Sequence, residues 1–253
     1  MKNYLTTVFL FTFFSLFAQQ LTFDKMQGEG EFFGVKNSRL FLNAPAESSK
    51  KQWIYPFSKS NQVQWKAIID LKFSPSNSNA VDWYLVSSTE NLQQSSGYLI
   101  HWGMSGADIL QFYKQIDGKK IKLAEGKTIL ASGGEIHLTV TKNQLGEWKV
   151  YLNNQVEFSF IENEQIDNKY IGFLCTYTKS NSKGFSFDNI SLTDFVDSTI
   201  VLLTDSLHDV VFSEVLIDQE PSVFLPKSEF IELYNRTDQA IQLNNWILLV
   251  DNQ

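Results

Sequence analysis

Along most of the chain, apolar and polar residues alternate with a period of two. VQWKAIIDLKF (63–73) places Val63, Trp65, Ala67, Ile69, Leu71 and Phe73 on one face. EIHLTVT (135–141) sets Ile136, Leu138 and Val140 against Glu135, His137 and Thr139. EWKVYL (147–152) repeats the pattern with Trp148, Val150 and Leu152, and VEFSF (156–160) continues it with Val156, Phe158 and Phe160. Alternation of this kind predicts strands with one buried face, and no stretch of helical period competes with it. Turn signals fall between the strands. Asp117-Gly118 separates LQFYKQI from KKIKLAE, and Asn153-Asn154 separates WKVYL from QVEFSF, both as tight hairpins. SPSNSN (74–79) reads as a polar loop. About a dozen short strands at this spacing predict an all-β antiparallel sandwich, with a barrel as the second architecture.

The two ends of the chain depart from this pattern. The start, MKNYLTTVFLFTFFSLFAQQ, has one cation at Lys2, an apolar run from Tyr4 to Phe17 broken only by Thr and Ser, and a small residue at Ala18. It reads as a secretory signal peptide over 1–18, too short in its apolar core for a comfortable membrane span. Leu16 is larger than the ideal residue at that place and blurs the cleavage point. No later run is long and apolar enough to be a transmembrane segment after cleavage, and no cysteine follows the signal to carry a lipid anchor. The expected location is therefore secreted or on the outer cell surface. Composition changes again at DFVDSTIVLLTDSLHD (194–209), which divides the mature chain into a domain at 19–195, a linker at 196–208 and a segment at 209–253.

Charge and cysteine usage narrow the partners. The formal net charge is −7, one unit more negative once Lys2 leaves with the signal, and no basic stripe interrupts it. An acidic chain without such a stripe repels phosphate backbones, so nucleic acid is not an expected partner. Cys175 is the only cysteine, which excludes an intrachain disulfide. It sits in YIGFLCTYT and reads as a small buried hydrophobe. Without such staples the fold must rest on a packed core.

Several segments occur in the order found in a known fold family: LFLNAP (40–45), WKAIIDLKFSP (65–75), DWYLVSS (82–88), Gly97-Tyr98 and FSFDNISL (185–192). Together they resemble the N-terminal sandwich of large secreted bacterial proteins, a concanavalin A-like lectin/glucanase jelly roll, and the closing FxFDNIxL is similar to the last strand of many carbohydrate-binding modules. The later stretch VVFSEVLIDQEPSVFLPKSEFIELYNRTDQAIQLNNWIL resembles the start of a lamin-tail domain, an immunoglobulin-like sandwich. Only residues 209–253 carry that likeness, so this part is expected to be truncated and the chain to belong to a longer protein.

The residues that could carry chemistry are sparse. Glycoside hydrolases of the jelly-roll type bear closely spaced acids on one strand face, and hydrolysis needs two converging carboxylates. This sequence has no such run. Asp70 stands alone, while Glu229 and Glu232, three apart on a strand, fall on opposite faces and read with Glu214 as structural. His101, His137 and His208 lie far apart, and no nucleophile elbow, Walker loop or dinucleotide fingerprint is present. No catalytic constellation is expected.

Aromatic residues are abundant (Phe 21, Tyr 9, Trp 6), and most of them fit a core. Trp83, Tyr84, His101, Trp102 and Tyr113 cluster where alternation is blurred. Trp83 and Tyr84 point to opposite faces, as do His101 and Trp102, so one of each pair leaves the core. Sugar rings stack on aromatic faces beside polar groups, which makes these five the candidate ligand-binding residues, with plain packing as the alternative. The resemblance also implies calcium as a candidate ion, with Asp188 of FSFDNISL and Asp24 of LTFDKM as its side-chain ligands. The resulting expectation is an exported, non-catalytic binding module for polysaccharide or a cell-surface glycan. Two readings stay open beside it: a structural or adhesive spacer of a larger exported protein, and the non-catalytic part of a secreted hydrolase.

Overall fold

The computed structural model describes residues 19–20, 27–57, 63–103, 108–130, 133–195, 210–216 and 230–236. Residues 1–18, expected as a signal peptide, Asp24, and residues 196–208, expected as a linker, lie outside them. The chain divides into two compact units, Met1–Asp197 and Ser198–Gln253.

The first unit is two antiparallel sheets. The larger runs, in spatial order, β13 (Gln155–Ile161), β12 (Glu147–Leu152), β11 (Gly134–Lys142), β6 (Val63–Leu71), β15 (Phe185–Asp194), β4 (Arg39–Leu42) and β3 (Phe33–Lys36), with β1 (Gln19–Gln20) also paired to β15. The second runs β10 (Lys119–Glu125), β9 (Leu110–Ile116), β8 (Gly97–Trp102), β7 (Ala80–Ser87), β14 (Tyr170–Tyr177), β5 (Ser49–Pro56) and β2 (Gln27–Gly28). Chain neighbours such as β8 and β9 pair by hairpins. β6 with β15 and β7 with β14 pair across long connections. This is a lectin-like jelly-roll sandwich.

Residues spaced two apart on both sheets meet in one core. Trp65 of β6 and Trp148 of β12 stack with ring centroids 5.4 Å apart, and Trp83, Phe173 and Phe187 form a second stack linking the sheets, the last two 4.0 Å apart. Burying side chains of this size contributes about 1.5–3 kcal/mol each, which supplies the core that a chain without disulfides needs. Cys175 is fully buried in it. Burial pushes its thiol well above the usual range.

Hairpin chemistry accounts for the connections. Asp117 (φ 47°) and Gly118 (φ 82°) turn β9 into β10, and Asn153 (φ 50°) and Asn154 (φ 67°) turn β12 into β13. Positive φ at both central residues is the geometry of the tight turn that matches strand twist. β13 departs from the expected alternation. Its register with β12 shifts between Val150 and Tyr151, pairing Val150 with Phe158 but Tyr151 with Val156. The extra residue, Glu157, is a bulge that turns Val156 outward, 60 % exposed, while Phe158 and Phe160 still pack on the core. The Glu157 carboxylate then accepts the backbone N–H groups of Lys127 (2.6 Å) and Thr128 (2.7 Å).

The second unit is described over one antiparallel pair, β16 (Val210–Leu216) and β17 (Phe230–Asn235). Glu214 lies opposite Glu232, and Ser213 donates to the Glu232 carboxylate at 2.7 Å.

Candidate functional site

One segment distinguishes the outer face of the seven-stranded sheet. The β7–β8 connection, 88–96, folds back over that face and sinks Leu92 to 0 % exposure among Ile54, Tyr84, Leu99 and Leu174. This second, smaller apolar cluster explains why every residue of β7 is buried and why its alternation is blurred in the sequence. Polar anchors hold the segment. Gln52 Oε1 accepts the N–H of Leu92 at 3.1 Å, and the Gln115 amide donates to the carbonyls of Leu92 and Ser95, each at 2.8 Å. Tyr84 donates its phenol to Gln115 Oε1 at 2.9 Å. The Asp117-Gly118 turn closes on the segment from β9–β10, with the Gly118 N–H 3.1 Å from Ser95 O.

Beside this segment lies a groove of about 300 Å³ lined by Lys50, Asp82, Tyr84, Gln93, Gln115, Gly118, Lys120 and Leu174. Asp82 and Lys120 line it, and His101 completes a triplet with them. Asp82 is 6 % exposed and has both carboxylate oxygens occupied: His101 Nδ1 is 2.6 Å from Oδ1, and Lys120 Nζ is 2.7 Å from Oδ2. Burial pushes the Asp82 carboxyl up, but the hydrogen bond from His101 and the charge of Lys120 outweigh it and hold the group below the usual carboxylate range. Tyr113 flanks the triplet, with its ring edge-on to His101 at 6.1 Å and its phenol donating to Gln111 Oε1 at 2.8 Å.

The five aromatic-cluster candidates are thus divided between two environments. His101 and Tyr113 sit together on the outer face, partly exposed. Tyr84 is on the same face and lines the groove, yet it is fully buried under the 88–96 segment. Trp83 and Trp102, each 1 % exposed, point the other way into the inter-sheet core and present no face to a ligand. The reason is strand parity: each neighbours an outward residue and so points inward. Asp82, Lys120, Gln93 and Gln115 are the groove residues that sequence reasoning missed. Asp82 becomes the partner of His101 only through the β7–β8 register, which places the two directly opposite each other.

Asp188 lies on the outer face of the other sheet. Its carboxylate accepts the N–H of Asn189 at 2.7 Å and faces the Arg39 guanidinium, Nε 3.5 Å away. Arg39 also contacts Asp70 (3.3 Å) and Glu135 (2.9 Å), and Glu135 meets His137 at 3.2 Å. The cation that Asp188 faces is thus a guanidinium, and no group of three or more His, Cys, Asp or Glu able to hold a metal ion occurs among the described residues. Asp24, the other residue of the expected calcium pair, lies outside the described residues.

No family model matches the chain, and no curated protein matches it. Solved structures do. The carbohydrate-binding module CBM66 from Bacillus subtilis aligns with a TM-score of 0.50 at 13% identity, over 67% of this chain and 96% of that one. The metal-free carbohydrate recognition domain of Emp46p aligns with a TM-score of 0.55 at 15% identity, over 68% and 88%. The exoplasmic/lumenal domain of VIP36, in a Ca2+/Man3GlcNAc-bound form, aligns with a TM-score of 0.51 at 11% identity, over 68% and 83%. At these identities the likeness establishes the fold: the first unit is a jelly-roll sandwich of the kind seen in carbohydrate-binding modules and lectin domains.

Proposed function

We propose that the first unit is a non-catalytic carbohydrate-binding module and that its glycan lies in the outer-face groove between the 88–96 segment and the Asp82–His101–Lys120 triplet. The observation that carries this reading is the groove itself, a recess with polar groups fixed by a hydrogen-bonded second layer. Tyr113 and His101 supply the ring surface beside it. Structural neighbours named for carbohydrate binding support the reading. Asp82, the one carboxylate lining the groove among the described residues, has both oxygens engaged, which argues for binding over glycosidic hydrolysis. The apolar start of the chain supports export to the outside of the cell, where polysaccharide would be met. The pattern of 209–253 supports a lamin-tail beginning.

The burial of Trp83, Tyr84 and Trp102 favours a second reading, a structural spacer in a larger exported protein. A glycan array separates the two. The binding module gives signals that His101→Ala and Tyr113→Ala abolish in chains that still unfold cooperatively. A spacer gives none with the folded wild-type chain.

A further inference from the structure

Hydrogen-bonding capacity in the groove is unevenly divided. Apart from Gln93 Oε1, the carboxylate and amide oxygens lining the groove are already engaged: Asp82 takes His101 on one oxygen and Lys120 on the other, and Gln115 Oε1 takes the Tyr84 phenol, while the carbonyls of Leu92 and Ser95 take the Gln115 amide. The donors are not. An ammonium carries three N–H donors and no acceptor. Lys120 gives one of its donors to Asp82, and Lys50, exposed on the groove wall, has no side-chain partner among the described residues. The Gln93 side chain, also on the wall, likewise has none among the described residues. Glu125, paired with Gln111 across β9 and β10, is held by Lys122 at 2.6 Å and Gln111 at 3.4 Å. A recess with spare cationic donors, in a chain of net charge −7, is a local exception to the acidic composition.

A neutral sugar offers hydroxyls that both donate and accept, so it would leave part of its donor capacity unmatched against this wall. A carboxylate or sulfate ester on a sugar adds a group that only accepts, and hydrogen bonds between ions are the strong ones. We propose that the groove selects an anionic saccharide, with its charged group between Lys50 and Lys120 and its ring toward Tyr113 and His101. The proposal rests on the carbohydrate-binding reading and names the class of sugar.

The test uses the full chain and four probes: oligogalacturonate, the same oligomer with its carboxyls reduced to alcohols, a sulfated galactan oligosaccharide, and polyglutamate as an anion without sugar. Isothermal titration at low and moderate salt should give at least about tenfold tighter binding to one of the two anionic oligosaccharides than to the reduced oligomer, weakening as salt rises. Lys50→Gln, an exposed substitution that should leave the melting temperature unchanged, should bring the anionic oligomer down to the affinity of the reduced one. Equal or tighter binding of the reduced oligomer would overturn the anionic preference and leave carbohydrate binding standing. Polyglutamate bound as tightly as the anionic oligosaccharides would overturn it too, by showing that charge alone is read. If no glycan, charged or neutral, binds the folded chain, the carbohydrate-binding reading itself fails.

Discussion

Lys120 of β10 reaches over β8 and β9 to place its ammonium 2.7 Å from Oδ2 of Asp82 on β7, four strands of one sheet tied by a single ion pair. The Lys120 side chain is 32% exposed and that of Asp82 8%, so the pair has a wet end and a dry end. A buried carboxylate is costly unless each oxygen is matched, and here His101 and Lys120 match one each. The same matching gives the floor of the groove a fixed geometry, with a donor on each Asp82 oxygen.

Stability should therefore depend on pH through Asp82. Its folded-state pKa is depressed, so ionisation contributes stability above the unfolded value of about 3.9, and that contribution is lost as pH falls through the folded value. Asp82→Asn should cost on the order of 1–3 kcal/mol at pH 7, where two charge-assisted hydrogen bonds are weakened. The gap between wild type and variant should be full above about pH 5, narrow as pH falls through about 3.9, and close only below the depressed folded value. Urea denaturation across this range measures it. A gap that persists undiminished at pH 3 would mean that shape, and not charge, makes Asp82 important.

The two environments of the aromatic cluster should separate in mutation. Trp83 and Trp102 are core residues, and replacing either by Ala should cost about 3–5 kcal/mol, in the range of large aromatic deletions. Tyr113, half-buried on the outer face, should lose less than about 1.5 kcal/mol on the same change. Retention on a glycan-loaded gel should fall for Tyr113→Ala and hold for any Trp83 or Trp102 variant that still folds. Melting curves run beside the gels provide the check. A stable Trp83→Ala variant that loses glycan retention would contradict the division.

What could be read from the sequence was what depends on local spacing. Alternation in β6, β11 and β12 identifies the inward faces that Trp65 and Trp148 occupy, because a strand's period is set by its own backbone. The Asp117-Gly118 and Asn153-Asn154 turns were visible for the same reason. The β3–β4 turn at Asn37-Ser38, with φ 52° and 62°, has the same geometry with a weaker signal, since Ser favours positive φ less than Gly or Asn. The parity argument at Trp83-Tyr84 and His101-Trp102 required one member of each pair to leave the core, but did not say which. That depends on which sheet face meets the other sheet. Val156 could not be placed by parity, because the Glu157 bulge breaks the count. The groove was least legible. Asp82, Lys120 and Gln115 come from three strands, and the covering segment 88–96 looks like an ordinary polar loop apart from Leu92.

That leucine carries the last prediction. Leu92 is the only apolar residue that the 88–96 segment drives into the outer face, and it rests on Ile54, Tyr84, Leu99 and Leu174. This cluster is separate from the main core, so removing its centre should loosen the cover without melting the sandwich. Leu92→Ala should lower stability by about 2–4 kcal/mol at most, the span of leucine truncations at buried sites. Its clearer mark should be local. Amides held within the segment, such as Ser88 to Ser96 O at 2.9 Å and Gln94 to Asn91 O at 3.1 Å, should exchange faster with solvent deuterium. Those of β14 around Phe173 should stay protected, since that strand is paired on both sides. Glycan affinity should fall with the loosening, because Gln93 on the groove wall belongs to the same segment. If exchange in 88–96 is unchanged, the polar anchors at Gln52 and Gln115 hold the cover without Leu92. If exchange rises while affinity stays, the groove does not depend on this wall.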